Sequence, residues 1–409
     1  MVASLLNKKS TDYLLVFLLI AVSAMPYFCN SQINYIIVLA IAAFFFFKRS
    51  LIFDTRVLTV FGAFFSVELL HYYFLQPYDV SIIFSTQFRL WLGYFVLALA
   101  GKRFPNYFVN IIYAFSIIGF LFFIPSLLYP PFFYFFKDHV CVYFDPPFAP
   151  KDGFYNIWPT NILYCFHDCV LAEKRNPGPF WEPGLYAVFL NLALAFNYIK
   201  EKKFITKKNI VLILALLSRL STGGYMSFFL LFFACYIIDF SWPKKLLYTL
   251  VIIPLLALVF FSMSFLNSKI DQNIKMAPTN TTSRFGSGWA DIQDFSTSPL
   301  IGWGRGALRF GGRQFTFFTE DQHRNNGFTE LLATYGIFIF LIYFFYYFKG
   351  FQSACNQSKF NSRFAGWFLL LTFTIGFSQT IFLRPFFLGL LFLSFTLPKK
   401  SDLPYENIY

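Results

Sequence analysis

The chain has 409 residues, of which 57% are hydrophobic, 23% aromatic and only 13% charged. Soluble domains carry roughly 25% charged residues, so this composition excludes an ordinary soluble enzyme and a disordered protein alike. The formal net charge is +13, and its placement along the chain assigns it to membrane topology, not to nucleic-acid binding.

Apolar stretches of about 17–25 residues, the length that a bilayer helix needs, recur from end to end. Twelve spans are predicted, at 12–28, 33–47, 57–74, 80–100, 106–129, 183–199, 210–222, 224–240, 247–265, 328–348, 364–379 and 383–398. The expected fold is therefore an all-α polytopic membrane protein, with residues 1–409 forming a single integral membrane domain. The run Lys8-Lys9, an apolar stretch and Val22-Ser23-Ala24 has the outline of a secretory signal. Further spans follow it directly, so it is read as an uncleaved first span. Spans seven and eight are close enough to form one helix broken around Gly223-Gly224.

With both termini inside, the inner loops hold nineteen Lys and Arg against six acids, which accounts for the whole net charge of +13. The outer loops hold eleven basic and twelve acidic residues and are nearly neutral. This is the positive-inside pattern. Both long loops, 130–182 and 266–327, then lie outside, and any chemistry belongs there. The compartment is the periplasmic side of a bacterial inner membrane. Glu68, Arg89, Arg219, Glu330 and Arg384 fall within spans or at their edges. Charges in such places are costly and face a partner or a cavity. Two readings stand: ion pairs between helices, for example Glu68 with Arg89, or an outward cavity for an anionic lipid head group, to which Arg donates two hydrogen bonds at once.

The first outer loop ends in Arg175-Asn176-Pro177-Gly178-Pro179-Phe180-Trp181-Glu182-Pro183-Gly184, just ahead of an apolar helix. Pro183 suits the first turn of that helix, which puts Glu182 at its N-cap. Glu182 is either a capping carboxylate or a general base raised in pKa by Phe180 and Trp181 beside it. Cys141, Cys165 and Cys169 share this loop, and the oxidising compartment allows one disulfide from Cys141 to either of the others. Their spacing with His139 and His167 does not make the two compact pairs of a structural zinc site.

The second outer loop carries Arg284-Phe285-Gly286-Ser287-Gly288-Trp289 and Pro299-Leu300-Ile301-Gly302-Trp303-Gly304-Arg305-Gly306, then Arg309, Arg313 and His323-Arg324-Asn325-Asn326. Gly302, Gly304 and Gly306 are candidates to expose backbone N–H groups to an anion. The run lacks the strand-turn-helix setting of a dinucleotide fingerprint. His323 is a candidate base or hydrogen-bond donor. Asp291 and Asp294 are expected to be solvated on one helix face and not to hold a metal.

In this order and topology the segments resemble the family of O-antigen polymerases and O-antigen ligases. Its first signature is matched by Arg175, Gly178, Phe180, Glu182 and Pro183, its second by Arg284, Trp289, Pro299, Leu300, Gly302 and Gly304, and its third by His323, Asn326 and Gly336. Together these cover about a quarter of the chain. The resemblance implies a glycosyltransferase C-like helical fold. It also implies glycosyl transfer from an undecaprenyl-diphosphate-linked oligosaccharide, with no nucleotide sugar, cofactor or metal. Carried over, Glu182 or His323 is the base. Arg175, Arg219 and Arg284 hold the diphosphate, and Arg89, Arg305, Arg324, Asn326 and Trp181 complete the donor and glycan site. Beyond membrane lipids, a chain-length regulator is the partner the family implies. The Phe-Trp-Glu-Pro-Gly and Ser-Thr-Gly-Gly-Tyr forms are similar to the polymerase branch. Ligases carry Ser-Arg in the seventh span, where this chain has Arg219 just ahead of Leu220-Ser221-Thr222. The alternatives are the ligase that moves the glycan to lipid A-core and a flippase for the same lipid-linked unit. No inverted repeat of the transporter kind is visible.

Overall fold

In the computed structural model, residues 8–29, 32–75, 78–144, 158–239, 283–305 and 325–397 are described, together with the isolated positions 243, 246 and 250. The predicted span 247–265 and the candidates His323 and Arg324 lie outside them, as do Gly306, Arg309 and Arg313. Among the described residues the regular elements are helices, with one isolated bridge between Thr160 and Cys165.

The first half runs α1 (Lys8–Ala24), α2 (Gln32–Lys48), α3 (Val57–Phe74), α4 (Val80–Ala100) and α5 (Phe104–Leu128). Pro26 opens a separate single-turn helix, Pro26–Cys29, so the predicted span 12–28 is broken near its end. Asp79 caps α4, its carboxylate accepting from the Ser81 N–H at 2.8 Å. Gly101, at φ +51°, interrupts the helical run before α5 begins. The second half runs α6 (Pro183–Glu201), α7 (Lys207–Leu217), α8 (Thr222–Asp239), α9 (Arg284–Thr297), α10 (Gly327–Gln357), α11 (Phe364–Ser378) and α12 (Pro385–Leu390). The last predicted span, 383–398, is two short pieces, α12 and Leu393–Thr396.

Three described helical runs are long and apolar enough to cross a membrane: Val57–Phe74, Val80–Leu128 and Gly327–Gln357. Large apolar side chains stand exposed along the flank made by α2, α3 and α4, including Ile36, Phe44, Phe65 and Phe84. A flank of this extent fits a hydrocarbon surrounding, not water. Arg49, just past the end of α2, pairs with the buried Asp12 near the start of α1.

Helix α6 is the centre of the molecule. Every residue from Pro183 to Ile199 is buried, and α5, α7, α8 and α11 all pack on it. It holds two asparagines inside this apolar setting, and both find partners. Asn191 donates to the Ala187 and Gly224 carbonyls, and Asn197 to the Asn209 side chain at 2.8 Å. Phenylalanine fills the spaces between helices without adding polar atoms that need satisfying. Phe351 of α10 stacks on Phe368 of α11, and Phe61 of α3 stacks between Trp91 and Phe392. Because α6 is held on all sides, its N-terminal end, where Glu182 stands, is a fixed point.

Two helices are broken, and each break is covered from elsewhere in the chain. The first break, between α7 and α8, is at Ser218–Ser221, one turn earlier than Gly223-Gly224, which lie inside α8. Three carbonyls freed there are taken up from outside the helix. Ser218 accepts from the Asn176 N–H at 3.0 Å, Arg219 from Arg175 Nε at 3.0 Å and Leu217 from the Tyr225 hydroxyl at 2.7 Å. The second break is within α10 at Gly336, whose backbone takes φ +70°, ψ −175°, a region essentially confined to glycine. The carbonyls of Ala333 and Thr334 accept from the N–H groups of Trp303 and Gly304, and the Ile337 N–H donates to Pro299. In hydrocarbon such groups have no water to turn to, so these bonds are obligatory.

Candidate functional site

The end of the first loop leads into α6 at its outer end. Glu182 is extended at the N-cap position, φ −148°, ψ 153°, and Pro183 opens the helix. Its carboxylate does not cap the helix. It makes no hydrogen bond or ion pair among the described residues and is part-exposed. The capping reading is thereby corrected.

One arginine is within electrostatic reach of this carboxylate, a second lies near the first, and a third rests on the neighbouring Trp181 ring. Arg284, at the start of α9, is largely buried, which lowers its pKa, while the negative charge of Glu182 acts in the opposite direction. Arg175 lies within electrostatic reach of the same guanidinium. Arg284 donates to the Asn325 carbonyl at 2.8 Å, and this fastens α9 to the start of α10. Arg175 is held by the Arg219 carbonyl and by Glu173 at 2.8 Å. Arg384, at the start of α12, lies over the Trp181 ring at 4.7 Å. It was recognised in the sequence as an intramembrane charge but was not placed in the site. Residues from the two outer loops and from α12 thus meet at the top of α6. Gly184 and Gly327 permit this closeness, since a side chain at either would meet Gln379 within 2.5 Å.

The other predicted site residues are placed differently. Arg219 is fully buried, with Nε donating to the Ala215 carbonyl at 2.8 Å, another nitrogen to the Asn176 carbonyl, and the guanidinium 3.9 Å over Tyr186. It tightens the first break and is closed to a phosphate. Asn326 is also fully buried and caps α10, accepting from the Thr329 N–H at 3.2 Å. Arg89 and Arg305 belong to a second polar cluster, between α3, α4 and α10. There Arg305 donates to the Thr86 hydroxyl at 2.9 Å, and Tyr335 donates to Glu68 at 2.8 Å. Glu68 and Arg89 form no ion pair, so the pairing expected from sequence is not made.

Three further expectations are corrected. The N–H groups of Gly302 and Gly304 are spent on Ser298 and Thr334, so they are not available to an anion. Asp291 and Asp294 are buried against α10 and not solvated, and Asp291 accepts from the Thr329 hydroxyl at 2.8 Å. Cys141, Cys165 and Cys169 are buried thiols, and no disulfide joins them. Burial raises the Cys169 thiol to about 12. The loop is held instead by an aromatic cluster of Phe123, Phe133, Tyr164 and Phe166, reinforced by Phe136 stacking on Phe166.

The outer end of α6 therefore offers a part-exposed carboxylate, arginine donors on two sides and an indole platform. Arginine forks suit phosphate oxygens, a carboxylate can accept a hydroxyl proton, and an aromatic face suits the apolar side of a sugar ring. No protein-family model matches this chain, and no curated protein matches it.

Proposed function

We propose that this protein is an O-antigen polymerase that joins undecaprenyl-diphosphate-linked repeat units on the outer face of the bacterial inner membrane. Glu182 accepts the proton of the acceptor sugar hydroxyl as that oxygen attacks the anomeric carbon. The bond from the anomeric carbon to the diphosphate oxygen breaks, and undecaprenyl diphosphate leaves with the bonding electrons. Arg284 and Arg175 hold the departing charge, and Trp181, steadied by Arg384, carries a sugar ring. Twelve spans, both termini in the cytoplasm and a glycosyltransferase C-like architecture belong to the same proposal. The inner-loop charge supports that topology.

One observation carries the reading. A carboxylate at the end of the most buried helix is left without a structural partner, and arginines from two loops more than a hundred residues apart are gathered near it. A carboxylate needed only to end the helix would have capped it.

The test is a lipopolysaccharide gel from a strain lacking the gene. Core carrying one repeat unit and no ladder supports the polymerase. Bare core with lipid-linked polymer accumulating assigns the ligase instead. An unchanged ladder removes both.

A further inference from the structure

Between α2 and α4 lies a cavity of about 330 Å³ that the site above does not use. Its walls are apolar, formed by Ile36, Phe84 and Phe88, and these side chains are exposed on the flank of the molecule. Its floor is polar. Ser81, Ser85 and Arg89 follow one another at four-residue intervals, so they form one stripe along α4. Arg89 closes the deep end. One of its nitrogens donates to the Leu383 carbonyl at 3.2 Å, and its guanidinium lies 5.5 Å over Tyr35. The guanidinium's other nitrogens make no hydrogen bond among the described residues.

We propose that this groove binds a phosphate-bearing membrane lipid, with the phosphate on Arg89 and the hydrocarbon chain along Ile36, Phe84 and Phe88. Charge favours an anion here, because Arg305 and Arg384 are both within electrostatic reach of Arg89. Of the nearby carboxylates, Glu68 is fully buried and tied to Tyr335, and Asp79, at the start of α4, accepts from the Ser81 N–H and hydroxyl. Depth favours a lipid over a free ion. Arg89 lies nine residues beyond Val80, about 13 Å along the helix. A phosphate carried that far below the start of α4 needs a polar group on its way, which Ser85 supplies, and an apolar chain that gains from the exposed walls. An arginine this deep is costly unless something is bound or solvated there. The site predicts binding only and stands apart from the glycosyl transfer proposed above, so its failure leaves the ladder test untouched.

The experiment uses the full-length protein in detergent and thermal-shift titration with farnesyl diphosphate, farnesol and inorganic diphosphate. Farnesyl diphosphate is expected to stabilise the protein, and the other two to bind at least tenfold more weakly. Arg89→Gln should raise the farnesyl diphosphate Kd at least tenfold. Ser85→Trp, which fills the groove and leaves Arg89 in place, should do the same without changing the ligand-free melting temperature. The proposal is overturned if neither variant weakens binding. It is overturned equally if inorganic diphosphate binds as well as the lipid, which would mean an anion site only, or if farnesol does, which would mean an apolar cleft only.

Discussion

The two outer loops perform the same task with different chemistry. Each covers the free carbonyls of a broken helix. The first does so with one side chain and one backbone group: the Arg175 guanidinium takes the Arg219 carbonyl and the Asn176 N–H takes that of Ser218. The second does so with backbone, laying Trp303 and Gly304 against Ala333 and Thr334. A backbone repair consumes the N–H groups that a glycine-rich stretch would otherwise present to an anion. A side-chain repair commits the functional groups themselves and leaves the residue just beyond, Glu182, without a structural duty. Glycine richness is therefore a poor guide to phosphate binding in a membrane protein, where helix breaks compete for the same donors.

Four predictions test this comparison. The largest effect is expected for Glu182→Gln, which should reduce polymer roughly 10²–10⁴-fold, the usual cost of losing a general base. Protein in the membrane should be unchanged, as blotting alongside the gel would show; a normal ladder would remove Glu182 from the chemistry. Gly336→Ala comes next. The new Cβ would stand 2.2 Å from the Leu300 carbonyl, in a backbone region that alanine avoids. A loss of roughly 3 kcal/mol or more is expected, read as poor accumulation and a lower Tm. A variant that melts like the parent would mean that α10 is not broken there. Arg219→Met should cost about 2 kcal/mol, because it leaves the Asn176 carbonyl without this donor while relieving a buried charge. Activity per folded molecule should hold, and selective loss of activity at an unchanged Tm would return Arg219 to the substrate.

The smallest effect is expected with pH. His167, in the first loop, is part-buried, which lowers its pKa, and its Nδ1 accepts from the Cys169 N–H at 3.0 Å. The folded state thus binds this proton less readily than the unfolded one. Its contribution to stability is complete above the ordinary histidine pKa, about 6.5, and declines as pH falls through the lower, folded value. A modest drop in Tm between pH 7.5 and about pH 5 should shrink in His167→Gln. An identical drop in both proteins would show that His167 is not responsible.

The elements formed over a single span were legible in the sequence. The stretches 57–74 and 80–100 coincide with α3 and α4, because apolar runs between polar ends define a helix locally. The placement of Pro183 and the position of Glu182 before it were legible for the same reason. What escaped depends on partners far along the chain. The break at Gly336 and its repair join residues about thirty apart, and the burial of Asp291 requires Thr329. The break near Arg219 could not be located, because a Gly-Gly pair looks like a hinge while the actual opening is set by carbonyls that Asn176 and Arg175 cover. Arg384 was visible as a charge, but nothing local showed that Trp181, some two hundred residues earlier, lies beneath it.

The repair at Gly336 has a consequence for biogenesis. The ribosome delivers residues 299–304 before it makes the helix that they mend. Until α10 arrives, Trp303 and Gly304 have no carbonyls to bind, and until they bind, an opened α10 would expose bare carbonyls to lipid. The repair therefore cannot form until α10 is in place. A chain halted shortly before α10 would carry this segment without the carbonyls it covers.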